Sequence, residues 1–179
     1  MSLKTARCSL RRFTNGEVGR YHQLTGNARV MQLVTGRPFT WEETAERFER
    51  ILAKSAQDEH EGVYAIYDSS TQEFLGSAAL MREPSGRVEI GYRILDTHWG
   101  RGLATEVAAE LLRFSLQVLC AQAVVAYVDA ENAASIRVLE KIGMQRAATH
   151  VERGRVEHEY LVEVLASGSS GPGKVSHAE

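Results

Sequence analysis

Val88-Glu-Ile-Gly-Tyr-Arg-Ile-Leu-Asp-Thr-His-Trp-Gly-Arg-Gly-Leu-Ala-Thr-Glu106 joins a β-rich run to a glycine turn and then to the clearest helical pattern in the chain. In its first half, Val88, Ile90, Tyr92 and Ile94 share one side of an extended backbone, because side chains alternate along a strand. Gly91 interrupts that run, where an isolated glycine marks a bulge or a close backbone approach. In its second half, Gly100, Gly102 and Ala104 keep the turn nearly bare of side chains. A helix that begins there leaves its first N–H groups without intrahelical partners, at the positive end of its dipole. Phosphates bind such places, so a diphosphate held by this loop is the functional reading. The plain alternative is a tight turn that uses glycine only for its φ freedom. What is missing narrows the ligand. There is no Gly-Lys-Ser/Thr of a P-loop, and Thr105 stands where a dinucleotide fingerprint has its third glycine or alanine.

Downstream of the loop, Val107, Ala108, Leu111, Leu112, Val118 and Leu119 fall on one side of a helix, with Glu106, Glu110, Arg113 and Gln117 on the other. Ala123 to Val128 is short and nearly all apolar, which suits a central strand. Asn132 can cap a second helix by accepting from the Ser135 N–H, and Gly143 can close it. Gln145 to Glu152 and Val156 to Leu165 form a last strand pair around Arg153-Gly154-Arg155. Upstream, residues 6 to 12 alternate loosely as a first strand, and Gly16 to Ser55 turns helical in two or three pieces. Thr40 and Glu43 form a capping box ahead of a stripe of Ala45, Phe48, Ile51 and Leu52. Gly62 to Tyr67 and Glu73 to Met81 read as a hairpin that leads into Val88. The order is strand, helices, three antiparallel strands, helix, strand, helix, two strands, which is an α+β fold with a mixed, mostly antiparallel sheet flanked by helices.

At 179 residues the chain suits one domain, expected over 1–166, with the Gly/Ser-rich stretch 167–179 as a flexible tail. A formal net charge of −2 gives no support for nucleic acid or an anionic membrane as partner. No apolar run reaches the length of a membrane span. Cys8 and Cys120 are the only two cysteines, which argues against a disulfide scaffold and makes a cytoplasmic location the expectation. The histidines lack a metal-ligand spacing, so no metal is expected.

Two segments carry a family likeness: Ile90-Gly-Tyr-Arg-Ile-Leu through Trp99-Gly-Arg-Gly-Leu-Ala-Thr-Glu106, and Asn132-Ala-Ala-Ser-Ile-Arg-Val-Leu-Glu-Lys-Ile-Gly-Met144. They resemble the pyrophosphate loop and the following helix of the GNAT superfamily of acetyl-CoA-dependent N-acetyltransferases. Within it, the chain is similar to the branch containing ribosomal-protein alanine N-acetyltransferases. Trp99 replaces the usual Gln or Arg at the head of the loop, which that branch shares. The resemblance implies acetyl-CoA as co-substrate, with Trp99, Gly100, Arg101, Gly102, Leu103, Ala104 and Thr105 around its diphosphate. Tyr92, Ile94 and Leu95 would present backbone groups to the pantetheine arm, with the Ile94 N–H donating to the thioester carbonyl. Asn132 would touch the arm as well as cap its helix. Ser135 would sit near the sulfur and assist the departing thiolate, while the tyrosine that other members carry four residues on is here Leu139.

A base must also take the proton of the acceptor amine. Glu152 is the first candidate, by rough alignment with a glutamate in the ribosomal-protein branch, and Glu89 is the second. The acceptor is expected to be a primary amine, with a protein N-terminal α-amine as the favoured case, on an enzyme that is a monomer or homodimer. A small-molecule amine such as an antibiotic or polyamine, or a non-catalytic acyl-CoA-binding domain, are the alternatives. Without an obvious strong base, an α-amine is favoured. With a pKa near 7.8 it is roughly one-third neutral at pH 7.5, against about one part in a thousand for an ε-amine near 10.4.

Overall fold

The computed structural model describes residues 3–152 and 154–164, so the tail from 167 and the expected domain end at 166 lie outside the described residues. In chain order the elements are β1 (Leu3–Lys4), β2 (Cys8–Arg12), α1 (Val18–Thr25), α2 (Ala28–Met31), α3 (Trp41–Ser55), β3 (Gly62–Asp68), β4 (Phe74–Arg82), β5 (Val88–Ile94), α4 (Leu103–Gln117), β6 (Ala123–Asp129), α5 (Ala133–Lys141), β7 (Gln145–Glu152) and β8 (Arg155–Glu163). Short 3-10 turns at Asn15–Glu17 and Asp96–His98 lead into α1 and away from β5. The eight strands form one sheet ordered β1-β2-β3-β4-β5-β6-β8-β7, antiparallel except where β5 and β6 run side by side. Ala123–Asp129 is thus an interior strand, as its apolar run required.

Each face of the sheet has its own core. Val88, Ile90 and Ile94 point to the face that α4 covers with Leu103, Val107 and Leu111, and α5 adds Leu139. Val63, Ala65 and Tyr67 point the other way, where α1, α2 and α3 supply Tyr21, Leu24, Met31, Phe48 and Ile51. The helical stripe of α3 is met only in part. Thr44, not Ala45, is the buried residue of its first turns, where its hydroxyl bonds Thr25 and His22, each at 2.8 Å. The Thr40–Glu43 capping box is present. Gly91 makes no bulge: β4 and β5 stay in unbroken register from Gly76↔Ile94 to Arg82↔Val88, with Ala79 opposite Gly91. The irregularity of this sheet region lies instead between Ile66 and Tyr67 in the β3–β4 pairing.

One buried carboxylate joins the α1 side to the sheet. Glu17 accepts from Arg11 at 2.8 Å, from Arg20 at 2.7 Å and from the Tyr67 hydroxyl at 2.5 Å. Burial opposes its charge, but the Arg11 guanidinium, the Tyr67 hydroxyl and Thr14 outweigh burial and hold the carboxyl well below its ordinary range. A lowered carboxylate pKa adds stability above the unfolded value near 4.5 and loses it as pH falls toward the folded value. Glu17→Gln is therefore expected to cost about 1–3 kcal/mol at pH 7 in urea unfolding. The difference from the parent should shrink as pH falls below about 4.5; a difference independent of pH would contradict the assignment.

Candidate active site

The site begins where a ladder stops. β5 and β6 pair only at Val88↔Val124 and Glu89↔Val125, and the strands diverge beyond Glu89. The direction of the backbone groups left behind follows from the other edge of β5. Leu95 N–H donates to Leu75 at 2.9 Å and Glu83 N–H to Arg87 at 2.9 Å, so the odd-numbered residues of this register bond to β4. Their even-numbered neighbours, Tyr92 and Ile94, turn N–H and C=O toward the gap. The Ile94 carbonyl is taken by the Trp99 indole N–H at 2.8 Å, which leaves the Ile94 N–H as that residue's group facing the cleft. Leu95 does not share this role: its N–H is spent on β4 and its side chain packs into the α1–α3 core.

The glycine loop stands at the open end of the gap. Gly100 has φ +75° and Gly102, the N-cap of α4, has φ +77°, both in the left-handed region that side chains avoid. No side chain caps α4, and its first intrahelical bond is Glu106 N–H to the Gly102 carbonyl at 3.1 Å. The N–H groups of Leu103, Ala104 and Thr105 are left for a ligand. A Cβ at Gly102 would meet nothing closer than an Arg7 nitrogen at 3.6 Å, so backbone conformation and not space demands glycine there. Arg7 clamps the loop from behind, donating to the Arg101 carbonyl at 2.9 Å and to Glu106 at 2.7 Å. Glu106, expected on the solvent side of α4, is thus a structural anchor. Arg101 itself does not border the cavity and donates to the Thr97 carbonyl at 3.3 Å.

A cavity of about 440 Å³ occupies the gap and the ground before the loop. Tyr92, Ile94, Trp99, Gly100, Gly102, Leu103, Ala104, Thr105, Asn132 and Ser135 all border it, so most of the residues singled out in the sequence converge on one place. Asn132 caps α5 as expected, its Oδ1 accepting from the Ser135 N–H at 3.0 Å, which leaves its amide nitrogen for other use. The Tyr92 hydroxyl donates to the Ser135 carbonyl at 3.3 Å. Burial pushes the Tyr92 phenol up to about 12, so it stays protonated and holds α5 against β5. Ser135 is fixed through its backbone from both sides and borders the cavity. Leu139 is buried in the core and contributes no polar group.

Other lining residues escaped the sequence reading. Arg137 and Lys141, one turn apart on α5, and Arg29 on α2 put cations around the cavity. Their i,i+4 spacing was the available signal, but the same pattern describes any solvated helix face. Arg29 pairs with Asp96 at 2.9 Å and lies 5.5 Å from the centre of the Trp99 ring. Asn27 bonds the other oxygen of Asp96, also at 2.9 Å, so α2 is tied to the chain that leaves β5. His98 and Arg93 line the cavity too, and His98 Nδ1 and Arg93 Nη1 are buried without a hydrogen-bond partner among the described residues.

Glu89 lies on the face opposite α4, at the foot of the gap, where burial, with Glu83 and Glu157 adding like charge, pushes its carboxyl up. Glu152 ends β7, paired with Arg155, and β6 and β8 stand between it and β5. The Glu152 side chain lies outside the described residues. Among the described residues there is no cluster of metal-ligating side chains and no helix long and apolar enough to cross a membrane. Cys8 and Cys120 are both free.

Comparison with known proteins gives this geometry a family. A family model described as an acetyltransferase (GNAT) domain matches residues 7–145. The chain is 24% identical over 176 residues to an uncharacterized N-acetyltransferase, p20, of Bacillus licheniformis, covering 95% of this chain and 99% of that protein. Among solved structures it is similar to RimL, a ribosomal L7/L12 alpha-N-protein acetyltransferase in complex with coenzyme A. That likeness has a TM-score of 0.77 and 18% identity, over 92% of this chain and 98% of that one. It is similar also to spermidine N-acetyltransferase from Vibrio cholerae in complex with CoA and spermine, with a TM-score of 0.75 and 20% identity, over 88% and 96% of the two chains.

Gly102→Val is expected to strain the loop by about 1–3 kcal/mol, since a β-branched residue disfavours φ +77°. The variant should remain folded by circular dichroism and bind acetyl-CoA at least about tenfold more weakly in calorimetry. Unchanged affinity in a folded variant would remove the diphosphate from this loop.

Proposed function

The chain belongs to the GNAT family of acetyltransferases, and on that premise we propose that it moves the acetyl group of acetyl-CoA directly to a primary amine, with the α-amine of a protein N-terminus as the favoured acceptor. The observation that carries this reading is the gap between β5 and β6, which turns the Tyr92 and Ile94 backbone groups toward a cavity that ends at the α4 N-terminus.

The residues present fit the coenzyme. The Leu103–Thr105 N–H groups and the cations Arg137 and Lys141 suit its phosphates, and the Tyr92 and Ile94 edge suits an extended amide arm that adds as a strand would. When bound, the coenzyme supplies an acetyl group on a thioester sulfur. Transfer forms a bond from the amine nitrogen to the acetyl carbon and breaks the carbon–sulfur bond. The amine loses a proton and the sulfur leaves as a thiolate that must gain one. The Ile94 N–H is the donor to the oxygen that gains charge, because its own carbonyl is already held by Trp99. The Ser135 hydroxyl is the donor to sulfur. Glu89 is the carboxylate that takes the amine proton. It stands five residues before Ile94, roughly 16 Å along the strand, so it acts through intervening water. Glu152, on the far side of β6 and β8, is the second candidate for that role.

The acceptor is read from chemistry and from the company the fold keeps. RimL acts on a protein α-amine and the Vibrio cholerae enzyme on a polyamine. An α-amine needs about 3.5 kcal/mol less to lose its proton near neutral pH than an ε-amine, which suits a base that works through water.

Thiol release with two matched peptides, one with a free N-terminus and one N-blocked with a lysine, tests the preference. The free N-terminus should react faster at pH 7.5, and faster transfer to the blocked lysine peptide would refute it. Ser135→Ala should lower kcat by about tenfold to a thousandfold with little change in the KM for acetyl-CoA. Glu89→Gln should lower kcat about a hundredfold, and in the parent the rate should fall as pH drops through the raised Glu89 pKa, because the base must be ionised. A Glu152→Gln variant that loses more than Glu89→Gln would reverse the assignment of the base.

A further inference from the structure

Arg93 is adjacent to Ile94 but belongs to the opposite side of β5, the side of α2 and not of α4. It borders the cavity there together with Val30, Leu33 and Val34, an apolar wall that offers a guanidinium nothing. Its Nη1 is buried without a partner, and no ion pair to Arg93 occurs among the described residues. Two carboxylates that neighbour it in sequence and in register are already engaged. Asp96, just past β5, is held by Arg29 and Asn27, each at 2.9 Å. Asp129, opposite Arg93 when the β5–β6 register is counted across the gap, is held by Arg155 at 2.9 and 2.5 Å. A buried guanidinium nitrogen left open costs free energy until an oxygen reaches it.

We propose that Arg93, which borders the cavity and has no ion pair among the described residues, is a specificity-determining residue whose guanidinium binds an oxygen carried by the acceptor two or three bonds from its amine, so that the substrates are peptide α-amines and not polyamines. The inference rests on the proposed acetyl transfer and deepens it. With the coenzyme assigned to the α4 and α5 side of the Ile94 edge, the acceptor is assigned to the α2 side of the same cavity, which Arg93 borders. There Arg93, the residue just before Ile94, offers its guanidinium to an atom close to that amine. A peptide N-terminus carries its own carbonyl at this distance, and a free amino acid carries a carboxylate there. A polyamine has no acceptor oxygen and brings further positive charge toward Arg93, which is unfavourable.

The test measures kcat and KM for three acceptors, a dipeptide amide with a free α-amine, free alanine, and 1,4-diaminobutane, in the parent, Arg93→Met and Arg93→Lys. The parent should use the dipeptide amide best. Arg93→Met should raise its acceptor KM about tenfold to a hundredfold, leave the KM for acetyl-CoA unchanged and spare 1,4-diaminobutane, with Arg93→Lys recovering part of the loss. Circular dichroism and acetyl-CoA calorimetry on both variants confirm folding. A parent that prefers 1,4-diaminobutane, or an Arg93→Met loss equal for all three acceptors, would overturn the inference while acetyl transfer stands. So would a preference for free alanine, which would place a carboxylate and not a peptide carbonyl on Arg93. A rise in the KM for acetyl-CoA would assign Arg93 to the coenzyme arm instead. No turnover with any amine would overturn the acetyl-transfer reading and the inference with it.

Discussion

Buried backbone N–H groups do not go without partners, and this fold ends a ladder early in the middle of its sheet. After Glu89↔Val125 the two interior strands part, so β5 carries a live edge toward the cleft at Tyr92 and Ile94. A closed sheet would have spent those groups on β6. The fold keeps them only because β4 holds β5 in unbroken register on the other side, which makes the edge rigid without help from β6. An extended ligand with amide groups could complete the ladder as an added strand would, and the cavity, the loop and the polar helix start of α5 lie around that one edge.

The rest of the site stiffens that edge. Trp99 reaches back to the Ile94 carbonyl, Arg29 lies over the Trp99 ring and pairs with Asp96, and Asn27 holds the other oxygen of Asp96. The chain from β5 to the glycine loop is therefore tied to α2 across the cleft. On the opposite side, Arg7 and Glu106 fix the loop to the start of α4. Each tie lies outside the cavity proper or at its margin, so the N–H groups inside remain uncommitted. Trp99, at the head of the loop, fixes the Ile94 carbonyl and with it the orientation of that residue.

Periodicity and capping carried much of this into the sequence. Val88, Ile90 and Ile94 showed their buried face by alternation, Asn132 announced the cap of α5, and the pair Gly100 and Gly102 announced left-handed backbone ahead of α4. What stayed hidden has a common cause. The Leu95 N–H, the role of Trp99 and the anchoring of Glu106 by Arg7 depend on which element lies next to which, and local pattern does not encode that. Gly91 shows the same limit from the other direction. A glycine in a strand signals a bulge or a close backbone approach equally well, and only its unbroken register with Ala79 shows that no bulge is there. Arg93 was silent because an arginine at a strand end is ordinarily solvated; the signal lies in the absence of a carboxylate that only the packed structure reveals.

Charge across the cleft then bears on how an enzyme without a base at contact distance activates an amine. Glu89 and Arg93 share one face of β5, about 13 Å apart along the strand, with the bare Gly91 between them. A guanidinium close to a bound amine favours the neutral form of that amine, because two like charges in a partly buried space repel. A carboxylate with its pKa raised by burial, set farther away, receives the released proton at less cost than a solvated one. The two effects act in the same direction on a single proton, one at its source and the other at its destination. On the proposed reading, an acceptor that offers Arg93 an oxygen would keep the guanidinium beside the amine, so binding and deprotonation would be coupled. A polyamine would supply the amine without that oxygen, and the repulsion would then oppose binding instead of assisting the loss of the proton.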